Sequence, residues 1–527
     1  MRRAASIYKK QDQMTKTKAI AKNSLHLYCR MLVVLAASLY TVRVVLNALG
    51  VDDFGIYGVA GGMVALFAFL NSTMTRAAQR FLGVELGRGD PEASNRTFNA
   101  ILAANAAIAL FVVLVSLTLG LWLLNNKLNI PPSRLDAARI VLFYSVATTA
   151  AMILRTPFSA VIISRQRMWF FSATSIGEAA LKLGTAFAIS HSPDGVDKLE
   201  LYAILTCAVS WLLLACYVMF CRRHFLESRI RVVNRWEPYR TLGAFVSWSF
   251  IGNFAYVART QGVNVLLNIF FGTSLNAAYG VMNQAQGAAS QFTNSFELAL
   301  SPQIYQSYGK GDRAAVLSLV SFGSKLNFML FAVLVGPAIY GMDYVLNLWL
   351  GRSIDYLTQF VIWMLILQLI ETISQPLMVA ALATGNIKRY QLAVGGTILL
   401  NLPLTALAFS LGYGPTSFLY IAVVIHLLTF ALRLAFMRPM IGMNIALFLR
   451  DVGARLAVAS ILGAAAVVAC RWYFGNPGSL LELLRGSIVL LPVIVAICVL
   501  VGLTAPERRM LISKLASKVD ALKNRNA

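Results

Sequence analysis

Apolar stretches of roughly 20 residues recur along almost the whole chain, and a helix of that length crosses the hydrocarbon core of a bilayer. We count fourteen of them between Leu25 and Thr504. Lipid offers no partner to backbone N–H and C=O groups, so each span has to satisfy its own hydrogen bonds, as an α-helix does. Alternating strands typical of a transmembrane β-barrel are not found in the sequence. The sequence therefore predicts an all-α polytopic membrane protein.

The composition agrees with a membrane protein rather than a multi-domain soluble one, because 58% of the 527 residues are hydrophobic and only 13% are charged. The formal net charge is +24. Most lysines and arginines fall on the side of the predicted spans that carries both termini, which is the positive-inside pattern. We therefore predict that both termini lie in the cytoplasm. Nucleic acid is not an expected partner.

Metal and cofactor chemistry has little support in the sequence. The six cysteines lie in or at the ends of apolar spans without metal-ligand spacing, and the four histidines are scattered. No cleavable signal peptide is predicted, because the first 24 residues are polar and basic. We expect free thiols and no cofactor, apart from a possible coupling proton or sodium ion.

An internal repeat organises the spans. The stretch 50–90 recurs 222 residues later at 272–312, with eight of the 41 aligned positions identical. The identities cluster at the two ends, as Tyr-Gly-Val at 57–59 and 279–281 and as Gly-Arg-Gly-Asp at 87–90 and Gly-Lys-Gly-Asp at 309–312. We interpret the latter as helix termination, because the strand–glycine–helix context of a phosphate-binding loop is missing.

The repeat divides the chain into two lobes of six spans. An even number of spans gives both lobes the same orientation, so we predict a pseudo-twofold axis along the membrane normal. The predicted organisation is a basic cytoplasmic tail at 1–24, an N-lobe at 25–240, a C-lobe at 241–437, two extra spans at 438–504 and a second basic cytoplasmic tail at 505–527. The apolar residues of 506–527 share one helical face, which suits either an amphipathic helix on the inner leaflet or a solvated tail.

Eight charged residues fall inside predicted spans: Arg30, Arg43, Arg155, Glu178, Lys182, Arg259, Glu297 and Glu371. Facing lipid, they would cost roughly 20 kcal/mol together, so they have to line water or pair with one another. Five of the eight are basic, and the arginine fork suits bidentate phosphate binding. A cationic cavity predicts an anionic substrate.

We assign substrate binding to Arg43, Arg155, Arg259 and Lys182 and ion coupling to Glu178, Glu297 and Glu371. Structural roles stay open as alternatives. Glu178 and Lys182 are four residues apart and could form a helical ion pair. Arg30 and Arg43 could reach towards the membrane boundaries. Arg155, before Thr156-Pro157, could be buried for structure, and Glu297 could pair for packing.

Asp52 and Asp53 superficially resemble the acidic pair of membrane glycosyltransferases, but their loop is too short to build a catalytic site. We interpret them as turn and cap residues.

The two repeat segments carry a family resemblance. ALGVDDFGIYGVAGG with FLNSTMTRAAQRFLGVELGRGD resembles the second-span signature of bacterial polysaccharide (O-antigen type) flippases of the multidrug/oligosaccharidyl-lipid/polysaccharide exporter superfamily. FFGTSLNAAYGVMNQ with SPQIYQSYGKGD is similar to that family's eighth span. The chain departs from the drug-exporting branch in having fourteen predicted spans rather than twelve and no central aspartate in the first span.

The resemblance implies two six-helix lobes around a cavity with alternating access, in a multi-pass protein of the bacterial cytoplasmic (inner) membrane. It also implies a non-enzymatic flippase for undecaprenyl-diphosphate-linked oligosaccharide units in surface polysaccharide (O-antigen, capsule or exopolysaccharide) biosynthesis. Implied partners are the lipid-linked oligosaccharide and membrane lipids, with a glycan polymerase and other assembly proteins as candidates. Two alternatives stay open: a cation-coupled multidrug exporter, and a membrane glycan polymerase or ligase.

Overall fold

The fold is all-helical, as predicted. No strand occurs in the residues that the computed structural model describes, which are 27, 29–38, 40–41, 43–45, 47–50, 53–54, 56–57, 68–126, 131–193, 195–231, 237–271, 273–350 and 354–509. Both predicted tails, 1–24 and most of 505–527, lie outside these residues.

Seventeen α-helices are described in these ranges. They are α1 (Cys29–Gly50), α2 (Ala68–Arg88), α3 (Pro91–Asn126), α4 (Leu135–Ser164), α5 (Met168–Ser190), α6 (Lys198–His224), α7 (Glu237–Phe271), α8 (Thr273–Gly309), α9 (Arg313–Tyr340), α10 (Met342–Leu350), α11 (Leu357–Thr384), α12 (Lys388–Leu399), α13 (Asn401–Ser410), α14 (Ser417–Ile441), α15 (Ile445–Phe448), α16 (Ala454–Phe474) and α17 (Leu480–Ile497). Short 3-10 turns lie at Pro132–Arg134 and Leu226–Ser228, and π-helical turns at Leu449–Gly453 and Cys498–Gly502.

Eleven helical segments among the described residues are long and apolar enough to cross a membrane, against fourteen predicted spans. The fifth and eighth spans, predicted at about residues 169–189 and 275–305, are present as α5 and α8, but both are polar for a membrane helix. The predicted second span lies partly outside the described residues. The eleventh span, predicted at about residues 392–411, is built from two helices, α12 and α13, which meet at Leu400. The short helix α10 was not predicted.

The chain forms two compact units. Unit 1 comprises Met1–Asn253 and Leu298–Asp312, and unit 2 comprises Phe254–Glu297 and Arg313–Ala527. The predicted lobe boundary at residue 240 stays a prediction.

Helix α4 is the centre of unit 1 and packs against α2, α3 and α6. Its buried face is made largely of small and β-branched side chains, and Ala138, Val141 and Ala151 are fully buried. Small side chains allow helices to approach closely where lipid gives no hydrophobic driving force for association.

In unit 2, α9 packs against α11, and a proline explains one of the polar contacts between them. Pro376 has no N–H, so the carbonyl of Thr372 one turn earlier loses its helical partner. The Asn327 side-chain amide, fully buried on α9, donates to that carbonyl at 3.0 Å and to Gln375 Oε1 at 2.8 Å. The buried asparagine therefore compensates for the broken backbone ladder.

Asp53 forms an ion pair with a distant arginine, which differs from the turn or cap role that the sequence analysis predicted. Arg134, in the turn before α4, donates to the carboxylates of Asp53 and of Asp197. Asp197 also caps α6 through the N–H groups of Leu199 and Glu200. One arginine thus joins three segments of unit 1. Asp52 lies outside the described residues.

Both copies of the repeat end their helix with the same turn, which confirms helix termination. Gly89 after α2 has a φ of 77°, and Gly311 after α8 has a φ of 74°. Glycine adopts this left-handed conformation without the Cβ penalty. Asp90 then begins α3 by accepting hydrogen bonds from the N–H groups of Glu92 and Ala93.

The ends of α2 and α8 contact each other reciprocally within unit 1. A Cβ added at Gly87 would collide with the backbone of Gln306, and a Cβ added at Gly309 would collide with the carbonyl of Val84 and lie 3.2 Å from the Gly87 Cα. Residues 306 and 309 are 84 and 87 of the other repeat copy, so each copy presents the same glycine to the same position of its counterpart. Such a contact is what a local twofold relationship produces.

We expect Gly309→Ala to destabilise the folded protein by about 1–3 kcal/mol, because the added methyl group has no space against the backbone of α2. The thermal unfolding midpoint of the purified protein in detergent measures this. Gly287→Ala, on the same helix with open space around its Cα, is the matched control and should not lower the midpoint. Equal midpoints for the two variants would contradict the close approach.

Candidate functional site

A polar cavity of about 320 Å³ lies within unit 1 among α1, α2, α4, α5 and α6. Most of the residues that line it have charged or hydrogen-bonding side chains, which is unusual inside a membrane. The lining residues are Arg30, Val34, Ser38, Asn71, Thr75, Met152, Arg155, Thr156, Ser159, Phe171, Ser175, Glu178, Ala179, Lys182 and Tyr217.

Helical periodicity places these side chains together. On α5, the residues Phe171, Ser175, Glu178 and Lys182 follow one another at intervals of four, three and four, so they share one face. The positions 30, 34 and 38 do the same on α1. The cavity is therefore formed by the polar stripes of otherwise apolar helices, and the stripe on α5 lowers the mean hydropathy of that helix.

Glu178 is held between two cations. Its Oε2 accepts from Arg155 Nη1 at 3.0 Å, and its Oε1 accepts from Lys182 Nζ at 2.8 Å. The Arg155 and Glu178 side chains are 19% and 20% exposed, whereas Lys182 is 41% exposed. The structure thus brings together three of the predicted site residues, and it shows both the predicted i,i+4 pair and a cross-helix pair from α4.

Arg30 joins this group, although the sequence analysis favoured a reach towards the membrane boundary. Its Nε and Nη1 atoms are buried and have no hydrogen-bond partner among the described residues. The guanidinium lies 5.0 Å from the centroid of Phe171, and the Arg155 guanidinium lies 5.4 Å from that of Tyr217. Three cations therefore face one carboxylate, and the cavity has a formal excess of two positive charges.

A second charged cluster lies within unit 2. Glu371 on α11 accepts from Arg433 Nη1 on α14 at 3.0 Å, and the Arg433 side chain is only 6% exposed. Glu371 also interacts electrostatically with His426 and Arg259. This cluster uses the first, fourth and sixth spans of the second half, and the cavity of unit 1 takes Arg30, Arg155 and Tyr217 from the same three spans of the first half.

The remaining predicted residues do not line the cavity of unit 1. Arg43 is exposed on α1. Arg259, half-buried on α7, lies 5.3 Å from the ring centroid of Tyr256. Glu297 is half-buried on α8. Substrate binding by Arg43 and Arg259 and coupling by Glu297 stay predictions.

Two buried cations escaped the sequence analysis although both fall inside predicted spans. Arg433 lies only four residues before Met437, the predicted end of its span, and from there a long side chain can still reach the membrane boundary. Lys325, on α9, is 2% exposed and donates to both carboxylate oxygens of Glu507 at 2.9 and 3.0 Å. Glu507 is far away in sequence, so no local pattern indicated the pair.

Helix α8 has a polar, exposed face in unit 2. Gln284, Gln291 and Asn294 are exposed and lie on the same side of the helix as the exposed Gly280 and Gly287. Exposed amide side chains are costly against lipid and favourable against water. This face lowers the mean hydropathy of α8.

Comparison with known proteins gives a likeness of fold. No protein-family model matches the chain, and no curated protein matches it. Solved structures do. The crystal structure of a point mutant of the Vibrio cholerae MATE transporter VcmN superposes with a TM-score of 0.68 at 14% sequence identity, covering 82% of this chain and 99% of that one.

Two further solved structures have a similar fold. The eukaryotic MATE transporter AtDTX14 gives a TM-score of 0.66 at 13% identity, covering 83% of this chain and 98% of its own. The MATE multidrug transporter DinF-BH gives 0.64 at 14% identity, covering 81% and 97%. The chain therefore has the fold of the MATE transporters of the MOP superfamily.

Proposed function

We propose that this protein is a flippase that moves an undecaprenyl-diphosphate-linked oligosaccharide across the cytoplasmic membrane by alternating access. The observation that carries the proposal is the unit 1 cavity, in which two buried nitrogens of Arg30, beside Arg155 and Lys182, have no partner among the residues that the structure describes. A buried guanidinium without an acceptor is strongly destabilising, and a diphosphate would supply the missing acceptors.

Glu178 has a defined part in this proposal. Without cargo it forms ion pairs with both Arg155 and Lys182, which lowers the free-energy cost of these charges in the empty cavity. An incoming diphosphate competes with Glu178 for the two cations and so exchanges one set of ion pairs for another. Arg43 and Arg259 remain the predicted further contacts of the cargo.

The reciprocal contact of α2 and α8 is the proposed two-state element. It lies at the basic ends of these helices, beside Arg88 and Lys310, which we place at the cytoplasmic face by the positive-inside pattern. Loading from the inner leaflet requires it to open, and release on the other side requires it to close. A cargo drives this exchange only through its different affinity for the two states.

The same fold is compatible with a second function, cation-coupled multidrug export. The structures similar to this chain include a multidrug transporter, and Glu178 and Glu371 could bind cations. The positive excess in the unit 1 cavity favours the anionic cargo.

We expect Arg30→Ala to reduce export of the surface glycan at least about tenfold, because charge-assisted hydrogen bonds to the diphosphate are lost. Complementation of a flippase-null strain, scored for glycan at the cell surface, measures the loss, with membrane levels of the protein checked in parallel. The control is Arg139→Ala, which removes an exposed cation near the beginning of α4. Normal export by Arg30→Ala would exclude Arg30 from the site.

Glu178→Gln distinguishes the two functions. If the cargo is a diphosphate, loss of the competing carboxylate should strengthen binding of undecaprenyl diphosphate about tenfold, the effect of roughly 1.4 kcal/mol of relieved repulsion. If the cargo is a lipophilic cation, the same variant should weaken its binding. Titration of the purified protein with undecaprenyl diphosphate and with ethidium measures both, and weaker diphosphate binding would contradict the proposed exchange.

We expect Glu371→Gln to change the pH or sodium dependence of transport, because Glu371 is the carboxylate of the unit 2 cluster and is 25% exposed at its side chain. Uptake of labelled lipid-linked oligosaccharide into inverted vesicles at several pH values and sodium concentrations measures this. Since Arg433 loses its ionic partner, the amount of folded protein has to be matched between variants. An unchanged dependence would remove Glu371 from coupling.

A further inference from the structure

A second cavity of unit 1, of about 520 Å³, lies where α4 and α6 end and α3 begins. It is separate from the cavity assigned to the cargo, with which it shares no lining residue. Its walls are a turn between α4 and α5 and the segment that follows α6. The lining residues are Pro91, Arg165, Gln166, Arg167, His224, Phe225, Leu226 and Glu227.

The turn in this wall contains a residue in a strained conformation. Gln166 has a φ of 56°, one of two positive φ values among the described non-glycine residues. The Gln166 N–H donates to the carbonyl of Ile163, and the Arg167 N–H to that of Ile162. These bonds form a Schellman motif, in which glycine is the favoured residue at the left-handed position. A glutamine here holds a side chain at the pocket at the expense of backbone strain, and such strain is found preferentially at binding sites.

The opposite wall is fixed by two buried asparagines of α3. The Asn95 side-chain amide donates to the carbonyls of Glu227 and Arg229 at 2.8 and 2.7 Å. The Asn99 side chain donates to the Arg229 carbonyl and accepts from the Arg231 N–H. The segment after α6 is therefore anchored along its length, and the pocket is preformed.

The side chains around the pocket favour an anion. Arg165 and Arg167 are exposed in its wall. The Glu227 carboxylate is 3% exposed and accepts from Arg165 Nε at 2.6 Å, so its charge is already compensated. His224 Nδ1 bonds to the Phe220 carbonyl, and no other hydrogen bond joins this ring to the described residues. Arg167 and the outer nitrogens of Arg165 are left to meet a ligand.

Aromatic and apolar side chains flank the charged wall. The His224 ring stacks on Phe220 with centroids 4.3 Å apart, and Phe220 stacks on Phe170 at 3.7 Å. Trp169 meets both phenylalanines edge to face and is 53% exposed, and Leu226 is 65% exposed. Aromatic rings beside cations are typical of the level of the lipid headgroups. The pocket therefore offers a charged end for a headgroup and an apolar edge for acyl chains.

We propose that this pocket binds the phosphate group of an anionic phospholipid of the inner leaflet, with Arg167, Arg165 and Gln166 as its ligands. Basic pockets between membrane helices on the cytoplasmic side bind such headgroups. The inference is independent of the cargo proposed for the other cavity.

The test is a titration of the purified full-length protein with tetraoleoyl cardiolipin, in which native mass spectrometry measures the bound lipid. Phosphatidylcholine, which has no net charge, is the reference lipid. Arg167→Ala should weaken cardiolipin binding about fivefold, the effect of one cation at a headgroup. Gln166→Gly should weaken it about threefold through a lost hydrogen bond, and it should raise the thermal unfolding midpoint because the turn is relieved of strain.

The matched control is Arg223→Ala, which removes an exposed arginine beside the pocket but not in its wall. It should leave cardiolipin binding unchanged. Equal weakening by Arg223→Ala and Arg167→Ala would mean an unspecific basic surface and would overturn the proposal. Unchanged binding in both Gln166→Gly and Arg167→Ala would also overturn it.

A soluble phosphate could satisfy the same groups, so glycerol phosphate is added as a competitor. The lipid assignment requires cardiolipin to bind far more tightly than glycerol phosphate. If the two compete at equal concentrations, the site recognises a soluble phosphate and the lipid assignment is wrong.

Discussion

The cost of placing a charge inside a bilayer is the constraint on which the structure depends. Each ionised side chain at membrane depth is unfavourable unless it meets water, a counter-charge or a ligand. Most of the buried charges described in this chain meet a counter-charge: Lys325 meets Glu507, Arg433 meets Glu371, and Glu178 is shared by Arg155 and Lys182. Arg30 differs, because it forms no ion pair with the described residues and its buried Nε and Nη1 atoms meet no acceptor there. The Nε of Arg433 also lacks an acceptor among the described residues, but the same guanidinium is paired with Glu371 through Nη1. That difference separates ion pairs that stabilise the fold from a group of cations suited to an anionic ligand.

The two charged clusters have the same architectural origin. Each takes residues from the first, fourth and sixth spans of its half, although the unit 1 cluster also takes Glu178 and Lys182 from its fifth span, α5. The reciprocal glycine contact between the ends of α2 and α8 relates equivalent positions of the repeat. The chemistry of the two clusters has nevertheless diverged. The first lines a cavity and has a formal excess of two positive charges, whereas the second, with Arg433 and Arg259 around Glu371, has an excess of one. A division of labour between cargo binding and ion coupling is consistent with that difference.

Much of the fold was predictable because it follows from local rules. Apolar length marks a membrane helix, and Gly-x-Gly-Asp marks the end of one helix and the start of the next, as Gly89 and Asp90 show. The grouping of Arg155, Glu178 and Lys182 was partly predictable, because residues four apart on a helix share a face. The partner of Lys325 was not, since it lies 182 residues away. The lack of a hydrogen-bond partner for Arg30 Nε and Nη1 among the described residues was not predictable either, because it depends on how five helices pack around the cavity. Both α5 and α8 were predicted as spans, although their polar residues lower the apolar signal.

The central claim is that the cavity of unit 1 receives a negatively charged cargo. The most direct measurement is equilibrium binding of the unmodified protein in nanodiscs to undecaprenyl diphosphate and to a lipophilic cation, each over a range of salt concentrations. The account predicts that the diphosphate lipid binds, that its affinity falls as salt rises because the attraction between cations and phosphate is screened, and that the cation does not compete with it. Saturable binding of the cation, with no measurable affinity for the diphosphate lipid, would contradict the account.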